Sequence, residues 1–174
     1  MKFKNDLGRS MFEMVLYLGL IVVITTSTIS MYSESVEKTR NIQADSQIED
    51  IQEKVNLYYL GRPFPSTGQI ETVLQTKLGN QINLVDPWGS KITVYANKTG
   101  AGTGLLADPY FGIKFSNLDK KRCINVSNLF IQKGAVTVEV NETKKNTSFT
   151  ISDAAKSCTK DGATNAVQGF FKKD

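Results

Sequence analysis

A run of about eighteen uncharged residues near the amino terminus limits the possible folds of this chain more than any other feature of the sequence. The run starts directly after Glu13 and extends to about Met31. A helix needs roughly 20 apolar residues to cross the hydrocarbon core of a bilayer, so this run is near the lower limit. An acid at the edge of such a segment is costly unless it has a specific partner. The sequence therefore predicts a membrane-spanning helix over about residues 14–31, and it makes Glu13 a candidate functional residue.

The apolar run continues without a break into an amphipathic pattern. Neither proline nor glycine occurs between Leu20 and Leu60, so we expect one helix from about Ser10 to Tyr59, roughly 75 Å long at 1.5 Å per residue. The second half of this helix has one apolar face, which can pack on a globular head. The first half must contact lipid or identical neighbours. The apolar residues that recur at helical spacing are Ile42, Ile48, Ile51, Val55 and Tyr58.

The composition argues against an enzyme. The chain has 174 residues, enough for one domain with a modest core and an appendage. It contains no histidine, so the commonest general base and the commonest metal ligand are both missing. Acidic residues at calcium-binding spacing are also absent, and the net charge of +4 is too small to indicate an acidic partner. We expect no catalytic residues, no cofactor and no metal site.

The two cysteines, Cys123 and Cys158, predict a disulfide. They form an even pair in a chain whose amino terminus has the character of an exported protein, and such pairs are typical of oxidising compartments. In the chain-entropy model, closing a loop of this length stabilises the fold by roughly 3 to 4 kcal/mol. Two unrelated buried thiols are the alternative interpretation.

Beyond the long helix the pattern predicts a small α+β head. Gly61, Pro63 and Pro65 end the helix. Ser66 or Thr67 is then expected to cap a short helix that stops at Gly79. The turn residues Asp86 to Gly89 precede an alternating strand, and we interpret Trp88 in this turn as a core residue.

The rest of the head predicts an antiparallel sheet, because no long crossover helices separate the strands. One helix is expected between Asn117 and Gln132, and a polar hairpin loop from Asn141 to Asn146. The expected strands are Lys91–Ala96, Tyr110–Ser116, Ala135–Val140, Thr147–Ile151 and a last one near residues 165–171.

Two further patterns in the sequence are only weak indications of a binding site. The glycines at 100, 102 and 104 are spaced like a phosphate-binding loop, but no lysine follows at the required position, so a loop between strands is favoured. Basic residues at 120–122, 144–145 and 172–173 provide a possible DNA-binding surface. Solvated lysines are the favoured interpretation, because no aromatic residues are interleaved with them.

The sequence from Gly8 to Glu13 resembles the amino-terminal signature of type IV pilins and of the pseudopilins of type II secretion. In that signature a short basic leader ends in glycine, and glutamate is the fifth mature residue. Counting from Arg9 as the first mature residue places Glu13 fifth. The turn at Trp88 and a cysteine pair before a terminal strand are also similar to this family. Arg9 departs from the pattern, since the family more often begins its mature chain with an apolar residue.

The resemblance implies three segments. Residues 1–8 are the leader, residues 9–60 form the pilin helix, and residues 61–174 form the head. A prepilin peptidase is expected to cleave between Gly8 and Arg9, and the new amino terminus is a candidate for methylation. Assembly is expected to depend on Glu13 and Arg9.

The implied function is that of a structural subunit of a type IV pilus-like filament, used for adhesion, motility, DNA transfer or conjugation. The expected partners are copies of the same chain, the peptidase, an inner-membrane assembly platform and membrane lipid. The subunit would occupy the bacterial inner membrane before assembly, and afterwards a filament at the surface or across the periplasm.

Other interpretations remain open. A pseudopilin of type II secretion shares the helix and the cleavage site, although it usually has calcium ligands instead of a terminal disulfide loop. A membrane-anchored binding domain that never polymerises is a second possibility. For the apolar run alone, a secretory signal peptide, a simple signal anchor and a buried core helix are further alternatives.

Overall fold

A computed structural model describes residues 6–65, 67–97, 110–141, 143–145, 149–159 and 162–173. The chain divides into two compact units, of which the first ends at Thr39 and the second begins at Arg40. The described residues of the first unit, 6–39, are helical. The second contains the sheet, the shorter helices and the hydrophobic core.

The long amino-terminal helix predicted from the sequence is present. This helix, α1, runs from Asp6 to Tyr58. The other helices are α2 (Glu71–Leu78), α3 (Lys120–Gln132) and α4 (Ile151–Ser157), and a 3₁₀ turn covers Gly79–Gln81.

Six strands in the described residues form one antiparallel sheet, in the order β1-β2-β3-β6-β4-β5. The last strand of the chain, β6, lies inside the sheet between β3 and β4. Its pairing with both neighbours means that the sheet is complete only when the carboxyl-terminal segment is in place. The strands are β1 (Thr67–Gln69), β2 (Thr93–Asn97), β3 (Tyr110–Leu118), β4 (Thr137–Val140), β5 (Thr143–Lys145) and β6 (Asn165–Lys172). The observed architecture confirms the predicted α+β class.

Two predictions for the region after β4 are wrong. Thr143–Lys145 forms β5, paired with β4, inside the segment expected to be a polar loop. Asn141 adopts a positive φ of 51°, which asparagine tolerates better than most residues and which suits a tight hairpin turn. The strand expected over residues 147–151 is replaced by the start of α4, although residues 146–148 lie outside the described part.

The start of α4 is set by a reciprocal cap. The hydroxyl of Thr150 accepts a hydrogen bond from the backbone N–H of Asp153 at 3.3 Å, and Asp153 Oδ2 accepts one from the backbone N–H of Thr150 at 3.0 Å. This capping box satisfies two helix-terminal donors and outweighs the β propensity of the preceding residues.

The predicted cap of α2 is also wrong. Thr67 belongs to β1, Ser66 lies outside the described residues, and Ile70 occupies the N-cap position without a side-chain hydrogen bond. The expected stop at Gly79 is confirmed, since Gly79 follows α2 with a φ of 57°. The short helix therefore depends on packing, and Leu74 is fully buried.

One face of α1 within the second unit contributes to the core. Its buried residues recur at helical spacing and join the cluster formed by the sheet and by α3. Ile42, which was expected on this face, is 62% exposed because it points to a different side of the helix from Ile48. The buried residues of α1 are Ala44, Ile48, Ile51 and Val55, and Tyr59, directly after the helix, is also buried.

Polar contacts fix this part of α1 to the rest of the second unit. Lys133, just after α3, lies 2.9 Å from Asp45 Oδ2 and 2.6 Å from Glu49 Oε1. The hydrogen bonds to these two carboxylates raise the pKa of Lys133. Gln47 Nε2 donates a hydrogen bond of 2.7 Å to the carbonyl of Val85. Ion pairs and a hydrogen bond therefore help apolar packing to fix the position of this part of α1 against the rest of the second unit.

Trp88 packs against the core but is only half-buried. The guanidinium of Arg122 lies 5.7 Å from the centroid of its ring, within the range of a cation–π contact. Trp88 was interpreted from the sequence as a core residue, and the structure places it against the core with part of its side chain exposed.

Candidate assembly site

The apolar segment of α1 is exposed along its whole length. Its large apolar side chains between Met11 and Tyr32 are 53% to 73% exposed. The helix is long and apolar enough to cross a membrane, with a mean hydropathy of 2.0 over its most apolar window, and none of that window is buried. Exposed apolar area on this scale marks a surface that contacts another molecule or a membrane.

Gly8, Arg9 and Glu13 all lie in α1, near its amino-terminal end. The side chain of Glu13 is exposed. The structure thus places the predicted cleavage and assembly residues close together in the chain on one helical segment.

The hydroxyl groups that follow the apolar residues are satisfied within α1. Thr25 Oγ1 donates to the carbonyl of Ile21 at 2.9 Å, and Ser27 Oγ donates to that of Val23 at the same distance. Thr26 and Thr28 make equivalent bonds to carbonyls three and four residues earlier. Hydroxyls bonded in this way need no external partner, which removes most of the cost of placing them next to an apolar segment.

The predicted disulfide is present in the second unit. Cys123 in α3 and Cys158 after α4 are joined, with their Cα atoms 5.9 Å apart, and both residues are fully buried. The bond links α3 to the segment that leads into β6. It therefore restrains the part of the chain that completes the sheet.

A pair of asparagines that the sequence analysis missed lies in the same region. Asn165 at the start of β6 is fully buried, and its Nδ2 donates to the carbonyl of Leu118 at 3.0 Å. Asn141 Nδ2 donates to Asn165 Oδ1 at 2.9 Å and to the carbonyl of Ser157 at 3.0 Å. Sequence periodicity gave no signal for this pair, because the two residues lie 24 positions apart.

The described residues hold no side-chain cluster typical of a metal centre. No group of three or more histidine, cysteine, aspartate or glutamate residues among them is arranged to hold a metal ion. The glycines at 100, 102 and 104 lie outside the described part. Lys120 and Lys121 are exposed on the first turn of α3, and the side chains of Lys144 and Lys145 are not described, so a DNA-binding surface stays a hypothesis.

Comparisons with known proteins agree with these features. The family described as PilS N terminal matches residues 66–168, which is more than half of the chain and most of the second unit. No curated protein sequence matches this chain.

Two solved structures are similar in fold. The crystal structure of a type IV b pilin from Salmonella typhi is 16% identical, with a TM-score of 0.54 over 76% of this chain and 97% of that chain. The structure of TcpA, a type IV pilin from Vibrio cholerae El Tor biotype, is 10% identical, with a TM-score of 0.51 over 76% of this chain and 99% of that chain. The two similarities show that this chain has the fold of type IV pilins, and the family match, over more than half of the chain, shows that it belongs to the PilS N-terminal family.

Proposed function

We propose that this pilin is made as a precursor, held in the bacterial inner membrane by α1, cleaved between Gly8 and Arg9, and then assembled with copies of itself into a filament. In this scheme residues 1–8 are a leader, residues 9–60 contain the membrane and assembly helix, and residues 61–174 form the head. The observation that carries the proposal is the exposed apolar surface of α1 from Met11 to Tyr32.

The exposed apolar surface of α1 must be covered first in the membrane and then in the filament. Before assembly, lipid covers it, and the satisfied hydroxyls of residues 25–28 keep the polar cost of this environment low. In a filament outside the bilayer, the same side chains must pack against equivalent helices, because water would leave a large apolar area exposed. A self-associating helix satisfies both requirements with one surface.

Cleavage would create a positive charge with which Glu13 of a neighbouring subunit can pair. A new amino group on Arg9 would be positive, and the carboxylate of Glu13 on an adjacent subunit would neutralise it in surroundings of low dielectric, where the attraction is much stronger than in water. The side chain of Arg9 adds a second positive group that can share this pairing. The expected additional partners are a prepilin peptidase and an inner-membrane assembly platform.

Two other functions predict different behaviour. A pseudopilin would share the membrane helix and the processing step but would assemble within a secretion apparatus. The disulfide and the lack of a metal cluster in the described residues favour a pilus subunit over it. A membrane-anchored binding domain would keep its apolar helix in lipid and would have no need for Glu13.

The test is electron microscopy of surface fibres in the native host. A strain that lacks this gene should lose a class of fibres, and the intact gene supplied in trans should restore it. Antibody against the head should label those fibres. Identical fibres in the deletion strain, with the protein confined to the membrane fraction, would instead support the non-polymerising anchor. Adhesion, motility and DNA uptake compared between the same strains would assign the role of the filament.

A further inference from the structure

Arg9 and Glu13 lie one turn apart on the same helix. α1 runs unbroken through both positions, and residues four apart are separated by about 40° around a helix axis and about 6 Å along it. Side chains at this spacing are neighbours on the helix surface. The backbone therefore places a basic and an acidic residue side by side at the edge of the apolar segment.

The other residues within one turn of Glu13 carry no charge. The large ones are well exposed, with Phe12 and Met14 at 67% and Tyr17 at 69%. Arg9 is the only basic residue of α1 before Lys38. Within this helix, Arg9 is therefore the one basic residue close enough in the chain to pair with Glu13.

Glu13 needs a partner before assembly as well as after it. In the proposed scheme the precursor is held in the membrane while its leader is still attached, so the new amino group on Arg9 does not yet exist. Lipid then covers the side chains around Glu13, and an unpaired carboxylate in such surroundings is costly. The attraction of the carboxylate to a neighbouring cation is much stronger there than in water.

We propose that the guanidinium of Arg9 neutralises the carboxylate of Glu13 on the same chain in the unassembled precursor. A guanidinium stays charged and can bind both oxygens of one carboxylate. The inference rests on the proposed membrane insertion of α1. It goes further by giving Arg9, the residue that departs from the pilin pattern, a role that does not depend on cleavage.

The two members of the pair differ in the cost of losing their partner. The long stem of an arginine can carry its charge to the lipid headgroups, whereas the shorter side chain of Glu13 is followed directly by apolar residues. Removing Glu13 should therefore cost the precursor little. Removing Arg9 should leave an unpaired acid in lipid, and that cost should disappear when Glu13 is neutralised as well.

The first experiment uses the full-length chain in a native-host strain that lacks the prepilin peptidase, so that no new amino terminus forms. Arg9→Leu removes the positive charge, Arg9→Lys keeps one, and Arg9→Leu combined with Glu13→Gln removes both charges. Asp6→Asn is the matched control, because Asp6 is the other acid within one turn of Arg9 and lies further from the apolar segment. Formation of the disulfide shows that the head of each variant has folded.

The readout is the half-life of the precursor in the membrane fraction. We expect a several-fold shorter half-life for Arg9→Leu, and the wild-type value for Arg9→Lys, for Asp6→Asn and for the double variant. A wild-type half-life for Arg9→Leu would overturn the inference. Equal losses in Arg9→Leu and in the double variant would also overturn it, because Arg9 would then act independently of Glu13.

A second experiment detects the contact directly. Solid-state NMR of the precursor in phospholipid vesicles measures the dipolar coupling between the labelled carboxyl carbon of Glu13 and the labelled guanidinium nitrogens of Arg9. The signal that disappears in Arg9→Leu belongs to this pair. It should persist when labelled chains are diluted in an excess of unlabelled chains, whereas its loss on dilution would assign the contact to adjacent chains and reject the inference.

Both experiments use the precursor and need no fibres. If the pair is absent from the precursor while the wild-type strain forms fibres, the inference fails and filament assembly stands. If the pair is present in the precursor while the wild-type strain forms no fibres, assembly fails and the pair stands.

Discussion

The ring of Phe130 in α3 occupies the space that a side chain at Gly169 in β6 would need. A Cβ placed on Gly169 would lie 2.6 Å from Cγ and from Cδ1 of that ring, well inside van der Waals contact. Phe130 is fully buried, and its ring meets those of Phe115 and Phe171 at centroid distances of 5.8 Å. The central strand and the helix above it can approach this closely only because the strand has a glycine at that position.

Gly169→Ala should therefore destabilise the head by about 1 to 3 kcal/mol, the usual cost of forcing extra volume into a packed core. Denaturant unfolding of the full-length subunit in detergent measures the change. Gly19→Ala is the matched control, since no atom lies within 4 Å of a Cβ at that position. Equal stability of the two variants would show that Phe130 moves aside at little cost.

The disulfide should contribute to the stability of the head. Cys158→Ser is expected to lower the free energy of unfolding by roughly 3 to 4 kcal/mol, because the denatured chain loses a loop closure, and to reduce the amount of subunit in cells. Unfolding with and without reductant should reproduce the difference in the wild-type chain. Ready labelling of both cysteines in the native, unreduced protein would contradict this prediction.

Asn165→Ala should destabilise the head even though it removes few apolar contacts. The change removes the Asn165 side-chain donor from the Leu118 carbonyl and takes from the Asn141 amide one of its two acceptors, leaving the carbonyl of Ser157 as the other. A lost partner costs about 1 to 3 kcal/mol for a buried polar group. Gln168→Ala on the same strand, where the side chain is only half-buried, is the control. Similar losses for both variants would show that the asparagine network has no special role.

Mass spectrometry of the mature subunit should find Arg9 at its amino terminus, with or without a methyl group. Gly8→Val should leave the full-length precursor, because glycine allows the close backbone approach that a branched side chain prevents. An intact Met1 in the wild-type protein, or a new terminus near Ser27, would refute cleavage after Gly8.

Glu13→Ala and Glu13→Gln should both reduce sheared fibre strongly and leave the amount of subunit in the membrane unchanged. Both remove the negative charge proposed to pair with the new amino terminus, and neither affects the folding of the head. Subunit in the membrane fraction and fibre in the sheared fraction are measured separately. Fibres at wild-type yield from both variants would reject this role and favour the non-polymerising anchor.

Local features of the sequence were enough to predict the long helix, the α+β class and the cysteine pair. The helix follows from an uninterrupted stretch without glycine or proline before Leu60, and its membrane segment follows from hydropathy alone. β2, β3 and β4 were expected within a few residues of their observed positions because β-branched and aromatic residues mark them directly. β6 alternates poorly, and its prediction came from the resemblance to the disulfide-bounded region of pilins. Gly8, Arg9 and Glu13 were identified from a short contiguous motif, and their functional roles stay predictions.

Contacts between residues far apart in the chain could be known only from the tertiary structure. Thr143–Lys145 became a strand because β4 offered a free edge. The cap of α4 by Thr150 and Asp153 is local in the chain, and the sequence analysis missed it. The partners of Asn165 and the contact of Gly169 with Phe130 arise only when β6 enters the middle of the sheet. Hydropathy and propensity describe each segment by itself, whereas these contacts depend on which segments the fold brings together.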